Sequence, residues 1–281
     1  MITRYLRLII FFLALGFSIP VMAKNPKPTD YSNLKCTYQF KYLKDSTTLS
    51  YSLEEPYIAL IGENLTKSYF YRTFRIDSLR STPEGNRELT AQINELAKNP
   101  ANWNRGPTFL YRGDFPAYLY KDYKKEKITV TDNVSTHNFI YEDVLNPQDW
   151  VIQHDTMTIL GYSCQKATCN FRGRDWVAWF APDIPINEGP WKFQGLPGLI
   201  MKLCDTESHY SFEMAGLEQV KEPIFMNIGK RKPQKIDRIK FLKLLMNVDG
   251  SDLVAMDLAN VEIQSNGSNQ KKYDYIERDY K

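Results

Sequence analysis

Large apolar side chains, many of them aromatic, recur at every second position in this chain, and that period constrains the fold more than any other feature. Tyr38, Phe40 and Tyr42 alternate with Thr37, Gln39 and Lys41, and Ile128 and Val130 sit between Lys127, Thr129 and Thr131. Leu199, Met201 and Leu203 share one phase, and Tyr210, Phe212 and Met214 alternate with Ser211 and Glu213. A period of two puts one set of side chains on one face of a strand, and aromatic residues suit a half-buried pleated surface. Further strands are expected at 57–62, 67–73, 117–123, 137–142, 150–153, 157–161, 163–171, 174–181 and 224–228, with short turn-rich links that suggest a meander of hairpins. Residues 84–98 instead place Leu89, Ile93 and Leu96 at helical spacing, and 234–246 do the same with Ile236, Ile239, Leu242 and Leu245 after Pro233. The expected fold is mainly β: a curved antiparallel sheet or half-barrel with two helices, one of them covering the concave face, because an aromatic sheet face must be shielded from water.

The first 23 residues carry Arg4 and Arg7, an apolar run from Leu8 to Ile19, Pro20 as a breaker, and Val21-Met22-Ala23 as a small-residue site. That pattern is a secretory signal with cleavage after Ala23, and its apolar run is too short for the roughly 20 residues of a membrane span. The expected organisation is a signal peptide at 1–23 and a single β-rich domain at 24–281, with a loosely ordered tail from about 264. Without the leader, 34 basic side chains face 33 acidic ones, which gives no electrostatic footprint for nucleic acid. The basic run Lys230, Arg231, Lys232, Lys235, Arg238, Lys240 and Lys243 reads as a solvated helix face. Outside the cytoplasm, Cys36, Cys164, Cys169 and Cys204 are permitted to form disulfides, with three full pairings open. Cys164 and Cys169 lie an odd number apart and would diverge on a regular strand.

Residues 150–206 carry a run of motifs in a fixed order. They are Gly161-Tyr162-x-Cys164-x-Lys166-Ala167, Gly173-Arg174 ahead of an aromatic strand ending in Trp179, and Ile184-Pro185. Gly189-Pro190-x-Lys192-Phe193, the hexapeptide Gly195-Leu196-Pro197-Gly198-Leu199-Ile200 and Asp205 follow. This stretch resembles the GLPGLI family of bacterial cell-envelope proteins, and Leu60-Ile61-Gly62 with Ser68-Tyr69-Phe70 resembles the family's N-terminal part. The resemblance implies an exported protein and assigns no activity. Read physically, Pro197-Gly198 predicts a type II turn with Gly198 at positive φ, feeding the strand of Leu199, Met201 and Leu203. Gly189-Pro190 repeats the device, so 182–198 should form a double bend with Trp191 and Phe193 packed beneath it. As a binding rim, the same bend offers Trp179, Trp191 and Phe193 as apolar contacts and Arg174, Asp183 and Lys192 as polar ones.

The chain contains no G-x-S-x-G elbow, H-E-x-x-H helix, P-loop or G-x-G-x-x-G fingerprint. His137, His154 and His209 read as ordinary histidines, and the adjacent pairs Glu54-Glu55 and Glu142-Asp143 read as surface residues whose side chains diverge on a strand. No catalytic residue, metal or cofactor is assigned. The expected function is a non-enzymatic envelope protein that binds an apolar small molecule or an envelope partner through an aromatic-lined trough or rim, with no membrane span after signal cleavage. The alternatives are metal or thiol handling by Cys164, Cys169, Cys204 and a histidine, and a hydrolase whose site the fold assembles.

Overall fold

The computed structural model describes residues 27–45, 50–98, 118–134, 137–226, 233–247 and 275–280. The expected signal segment, Lys230, Arg231 and Lys232, and the tail before 275 lie outside them. The strands are β1 (Asp30–Asp45), β2 (Ser50–Gly62), β3 (Leu65–Phe70), β4 (Tyr118–Asp122), β5 (Lys127–Val134), β6 (His137–Val144), β7 (Val151–Ile159), β8 (Tyr162–Phe171), β9 (Arg174–Ala181), β10 (Leu199–Asp205) and β11 (Tyr210–Gln219), with two-residue strands β12 (Pro223–Ile224) and β13 (Gln234–Lys235). They form one open sheet in the order β13-β6-β5-β4-β3-β2-β1-β11-β10-β9-β8-β7, with β12 on β1. The short β13–β6 pairing is parallel and the others are antiparallel.

Chain connectivity forces this sheet to curl. Strands β6 and β7 stand at opposite ends of the meander, ten strand spacings apart, which in a flat sheet is about 48 Å. Yet the chain passes from Val144 to Val151 in seven residue steps, which reach at most about 25 Å. The two ends are therefore brought together, although among the described residues no ladder joins β6 to β7. The inner face carries Cys36, Tyr38, Phe40 and Tyr42 from β1, Tyr57, Ala59 and Ile61 from β2, and Phe212 and Met214 from β11, all in one buried cluster. On the outer face of β2–β4, Ile58, Leu60, Leu65, Tyr69, Tyr118 and Tyr120 form a second cluster, covered in part by Ile224 and Met226.

Three helices complete the described chain: α1 (Tyr71–Arg80), α2 (Pro83–Ala97) and α3 (Arg238–Asn247). The two expected helices are present. Helix α3 sets Phe241 against Phe139 and Tyr141 of β6, with ring centroids 5.8 and 5.3 Å apart, and so covers part of the inner face. Helix α1 replaces the end of the strand expected at 67–73. Only Thr73 and Ile76 of α1 are buried, so its sequence lacks a helical apolar stripe. The strands expected at 150–153 and 157–161 are one strand, β7, and the apparent break is a register irregularity between Ile152 and Thr156. The tail is not loose at its end: Ile276, Glu277 and Tyr280 are buried.

Turn chemistry agrees with the sequence at two hairpins. Leu160-Gly161 and Arg172-Gly173 both take positive φ at two central residues, the conformation of a two-residue type I′ loop. The expectation for Pro197-Gly198 is corrected. Positive φ in the hexapeptide belongs to Gly195 (φ +93), whereas Gly198 is required because a Cβ there would lie 2.3 Å from the Ala181 carbonyl oxygen. Backbone cannot yield as a side-chain tip can. Gly198→Ala is therefore expected to destabilise the fold by about 2 kcal/mol or more, within the range of overpacked cores, and urea denaturation against wild type would measure it.

Candidate functional site in the filled interior

The inner face of the curled sheet is occupied by the chain's own residues 182–198. Trp191, Phe193 and Leu196 are buried in the same cluster as Tyr38, Phe40, Tyr57 and Phe212. The Phe193 ring lies 4.8 Å from Trp176, 5.2 Å from Phe171, 5.7 Å from Trp191 and 5.9 Å from Trp150, centroid to centroid. Trp191 has φ +53, an unusual conformation for a bulky residue, and the packing around it holds it there. Indole Nε1 of Trp150 donates to the Gln194 carbonyl at 2.8 Å, and Gln148 receives the Gln194 N–H at 2.9 Å, so the 145–150 crossing is stitched to the same segment.

Three ionic clusters surround this segment. In the first, the Lys121 ammonium on β4 is fully buried and donates to Glu188 Oε2 (2.9 Å), the Gly189 carbonyl (3.1 Å) and the Phe193 carbonyl (2.7 Å). Burial pulls the Lys121 pKa down, and Glu188 opposes that shift. In the second, buried Lys192 donates to Asp143 Oδ2 at 2.8 Å and Glu277 Oε1 at 2.5 Å. Arg172 grips Asp143 at 2.7 and 2.9 Å, Arg238 binds Glu277, and both arginines bind Asp279. Burial pushes the Asp143 carboxyl up, but Lys192, Arg172 and Arg238 outweigh it and hold it below the usual carboxylate range.

The third cluster pairs Arg174 with Asp205 at 2.8 Å, both buried. Arg174 also donates to the Tyr275 carbonyl at 2.8 and 3.2 Å and stacks 4.7 Å from the Tyr210 ring centroid. Burial raises the Asp205 carboxyl despite the Tyr210 N–H and Arg174. Among the described residues, Asp205, Glu207 and His209 are the one group whose ligand atoms converge closely enough for a metal ion. Their oxygens are already committed: Asp205 to Arg174, and Glu207 to Arg278 and to His209 Nδ1 at 3.3 Å.

Of the six residues expected to form a binding rim, Arg174, Trp191, Lys192 and Phe193 are buried inside, Trp179 is half-buried, and Asp183 is exposed. They do not converge on one surface. Among the motif residues, Ala167, Leu199 and Ile200 are core, Gly189 is held against the Ile200 side chain and Pro190 is buried beside it, and Ile184 packs partly while Pro185 is exposed. Two surface assignments are corrected. Glu55 is buried beside Arg72 Nε at 3.2 Å, and Asp143 is an anchor of the second cluster. Arg238 likewise is 11% exposed and ion-paired rather than solvated.

All four cysteines carry free thiols, so no disulfide staples this structure. Burial raises the pKa of Cys36, Cys164 and Cys204, and pushes Cys169 up to about 12. Thiols so shifted stay protonated at neutral pH, the reverse of what metal binding or nucleophilic attack needs. Sequence reading missed Lys121, Glu188, Glu277 and Arg238 because their partners lie between 39 and 85 residues away.

Residues 171–202 match a family described as a protein of unknown function (Porph_ging). Two solved structures of PNGF-II, in P21 and C2 crystal forms, are similar to the chain at 14% identity with a TM-score of 0.49. The alignments cover 76% of this chain but 33% and 32% of theirs, so the chain spans about a third of their length. No curated protein matches the chain.

Two outcomes follow from the buried charges. Lys192→Met leaves Asp143 and Glu277 short of a cation in the interior, and should cost about 3–5 kcal/mol in urea denaturation. Burial raises the Glu55 carboxyl to about 7, against Arg72, which lowers it. A raised folded-state pKa means that the native protein holds the proton more tightly than the unfolded chain. This group's stabilisation is fully present below the unfolded value near 4.5 and is lost as pH rises through about 7. Unfolding free energy measured from pH 4.5 to 8 should fall with a component, at most about 3 kcal/mol, that Glu55→Gln removes.

Proposed function

We propose that this is an exported, partner-binding protein of the GLPGLI type, which engages another polypeptide through the open edge of its sheet. The observation that carries the reading is strand β7. One side of it pairs with β8, and among the described residues no strand pairs with its other side. Val151 and Ile152 on β7 are 64% and 47% exposed, and Val144 at the end of β6 is 61% exposed. An edge with free backbone donors and acceptors beside apolar side chains suits the addition of an extended strand, in which backbone bonds give affinity and alternate side chains give selectivity. The irregularity between Ile152 and Thr156 and the charge of Asp155 guard the rest of the edge against indiscriminate pairing.

The apolar-ligand form of the expectation has less support, since residues 182–198 occupy the aromatic face that a ligand would need. The thiol form has less support because Cys36, Cys164 and Cys169 are buried, Cys204 is half-buried, and burial raises the pKa of all four thiols. Export rests on the leader pattern that ends at Ala23 and on the resemblance in 150–206.

A photo-crosslinking residue placed at Ile152 in the full chain, expressed in its native host, should give one dominant adduct with an envelope protein. The same residue at exposed Lys240 on α3 should give none. Equal, diffuse labelling from both positions would defeat the edge reading. In the same preparation the mature chain should begin at Lys24, and a chain retaining Met1 in the cytosol would defeat export.

A further inference from the structure

Four cations are buried among the described residues: Lys67, Lys121, Arg174 and Lys192. Three of them donate directly to a carboxylate, Lys121 to Glu188, Arg174 to Asp205, and Lys192 to Asp143 and Glu277. Lys67 is the exception. It stands on the outer face of β3 between Leu65 and Tyr69, two members of the second apolar cluster, and is 7% exposed. Tyrosine rings surround its amine, with the centroids of Tyr118, Tyr69 and Tyr120 at 4.9, 5.6 and 6.0 Å from Nζ. Among the described residues no hydrogen bond or ion pair is made by that nitrogen. The charge of Asp77 on α1 reaches it, but Asp77 Oδ2 accepts from the Tyr118 hydroxyl at 2.9 Å.

This setting decides the chemistry of the amine. An ammonium pinned by a carboxylate keeps its proton and has no lone pair to give, which is the condition of Lys121 and Lys192. Ring faces attract a cation but replace neither a carboxylate's charge nor its hydrogen bonds. Burial therefore lowers the Lys67 pKa to about 8, with Asp77 acting the other way. A desolvated lysine in an apolar setting is the form that attacks carbonyl carbon. The Lys67 Nζ is also not sealed from solvent, although the opening to it is narrow.

We propose that Lys67 is a covalent modification site for small aldehydes, with Nζ as the nucleophile inside the box formed by Tyr69, Tyr118 and Tyr120. The lone pair of the neutral amine adds to the carbonyl carbon. Both nitrogen protons pass to the carbonyl oxygen, which leaves as water, and a C=N bond replaces the C=O bond. The flat imine lies among the ring faces, and when protonated it keeps the positive charge that those faces attract. The narrow opening limits the class to small carbonyl compounds and excludes bulky acyl donors.

Limiting formaldehyde with cyanoborohydride traps the imine as a methylated lysine, and peptide mass mapping of the full mature chain ranks the sites. At pH 7 Lys67 should be labelled at least about tenfold faster than exposed Lys240 on α3, an advantage that shrinks as the pH is raised to 10. The advantage should vanish in urea, where the tyrosine box is gone. Asp77→Asn keeps an acceptor for Tyr118 but removes the charge that holds the proton on Lys67, and so should speed labelling at pH 7 severalfold. Labelling of Lys67 no faster than Lys240, a preference that survives in urea, or an unchanged rate in Asp77→Asn would each overturn the proposal.

Discussion

The Lys192 ammonium holds together parts of the chain that no backbone ladder connects. It comes from the segment that occupies the interior, binds Asp143 on β6, and binds Glu277 near the C-terminus. Through Asp143 and Glu277 it is coupled to Arg172 at the β8–β9 turn and to Arg238 on α3. Three cations face three carboxylates, so the cluster is neutral overall. The rings of Tyr141 and Trp191, 5.2 and 5.3 Å from the ammonium, add cation–π attraction. Desolvating so many charges offsets much of their mutual attraction, so the network adds less net stability than its list of contacts suggests. What it does supply is specificity of closure: any other placement of residues 182–198 leaves the three carboxylates facing two arginines alone, one cation short of balance.

That arrangement changes the meaning of the aromatic surplus. An aromatic-lined concave sheet invites comparison with a carrier, but here the aromatic face meets the chain's own Trp191, Phe193 and Leu196. The positive φ of Trp191 and Gly195, and the close approach of Gly198 to Ala181, are the backbone conditions that let this segment enter. The hexapeptide is thus part of an internal plug that meets the sheet, and its glycines answer to geometry. Unpaired backbone is left on β7, where the meander from β11 ends with no further strand beside it among the described residues.

Most of the secondary structure was legible. Alternation located the central strands, and helical spacing located α2 and α3, because burial on one face imposes its period on any sequence. The errors have local causes. The strand expected at 57–62 begins earlier, at Ser50, and includes Pro56, which pairs with Gln39 of β1 beyond the end of the β3 ladder, a place where a strand tolerates proline. The irregularity in β7 looked like a loop, and α1 was hidden because it buries only two residues. Candidate site residues were legible as chemically unusual and not as partners: Arg174 and Lys192 were singled out, while Lys121, Glu188 and Glu277 were not.

The sequence by itself determined a mainly antiparallel sheet and two of the three helices, because the period of each is set by residues within a few positions of one another. Tertiary structure alone decided that residues 182–198 go inside, that Glu55 and Asp143 are buried, and that the cysteines remain free. The burial of Asp143 and the seating of residues 182–198 depend on charges that meet across 29 to 107 residues of chain once the sheet curls. A buried charge is stable only beside its counter-charge, and that pairing is a property of the closed sheet, not of any segment.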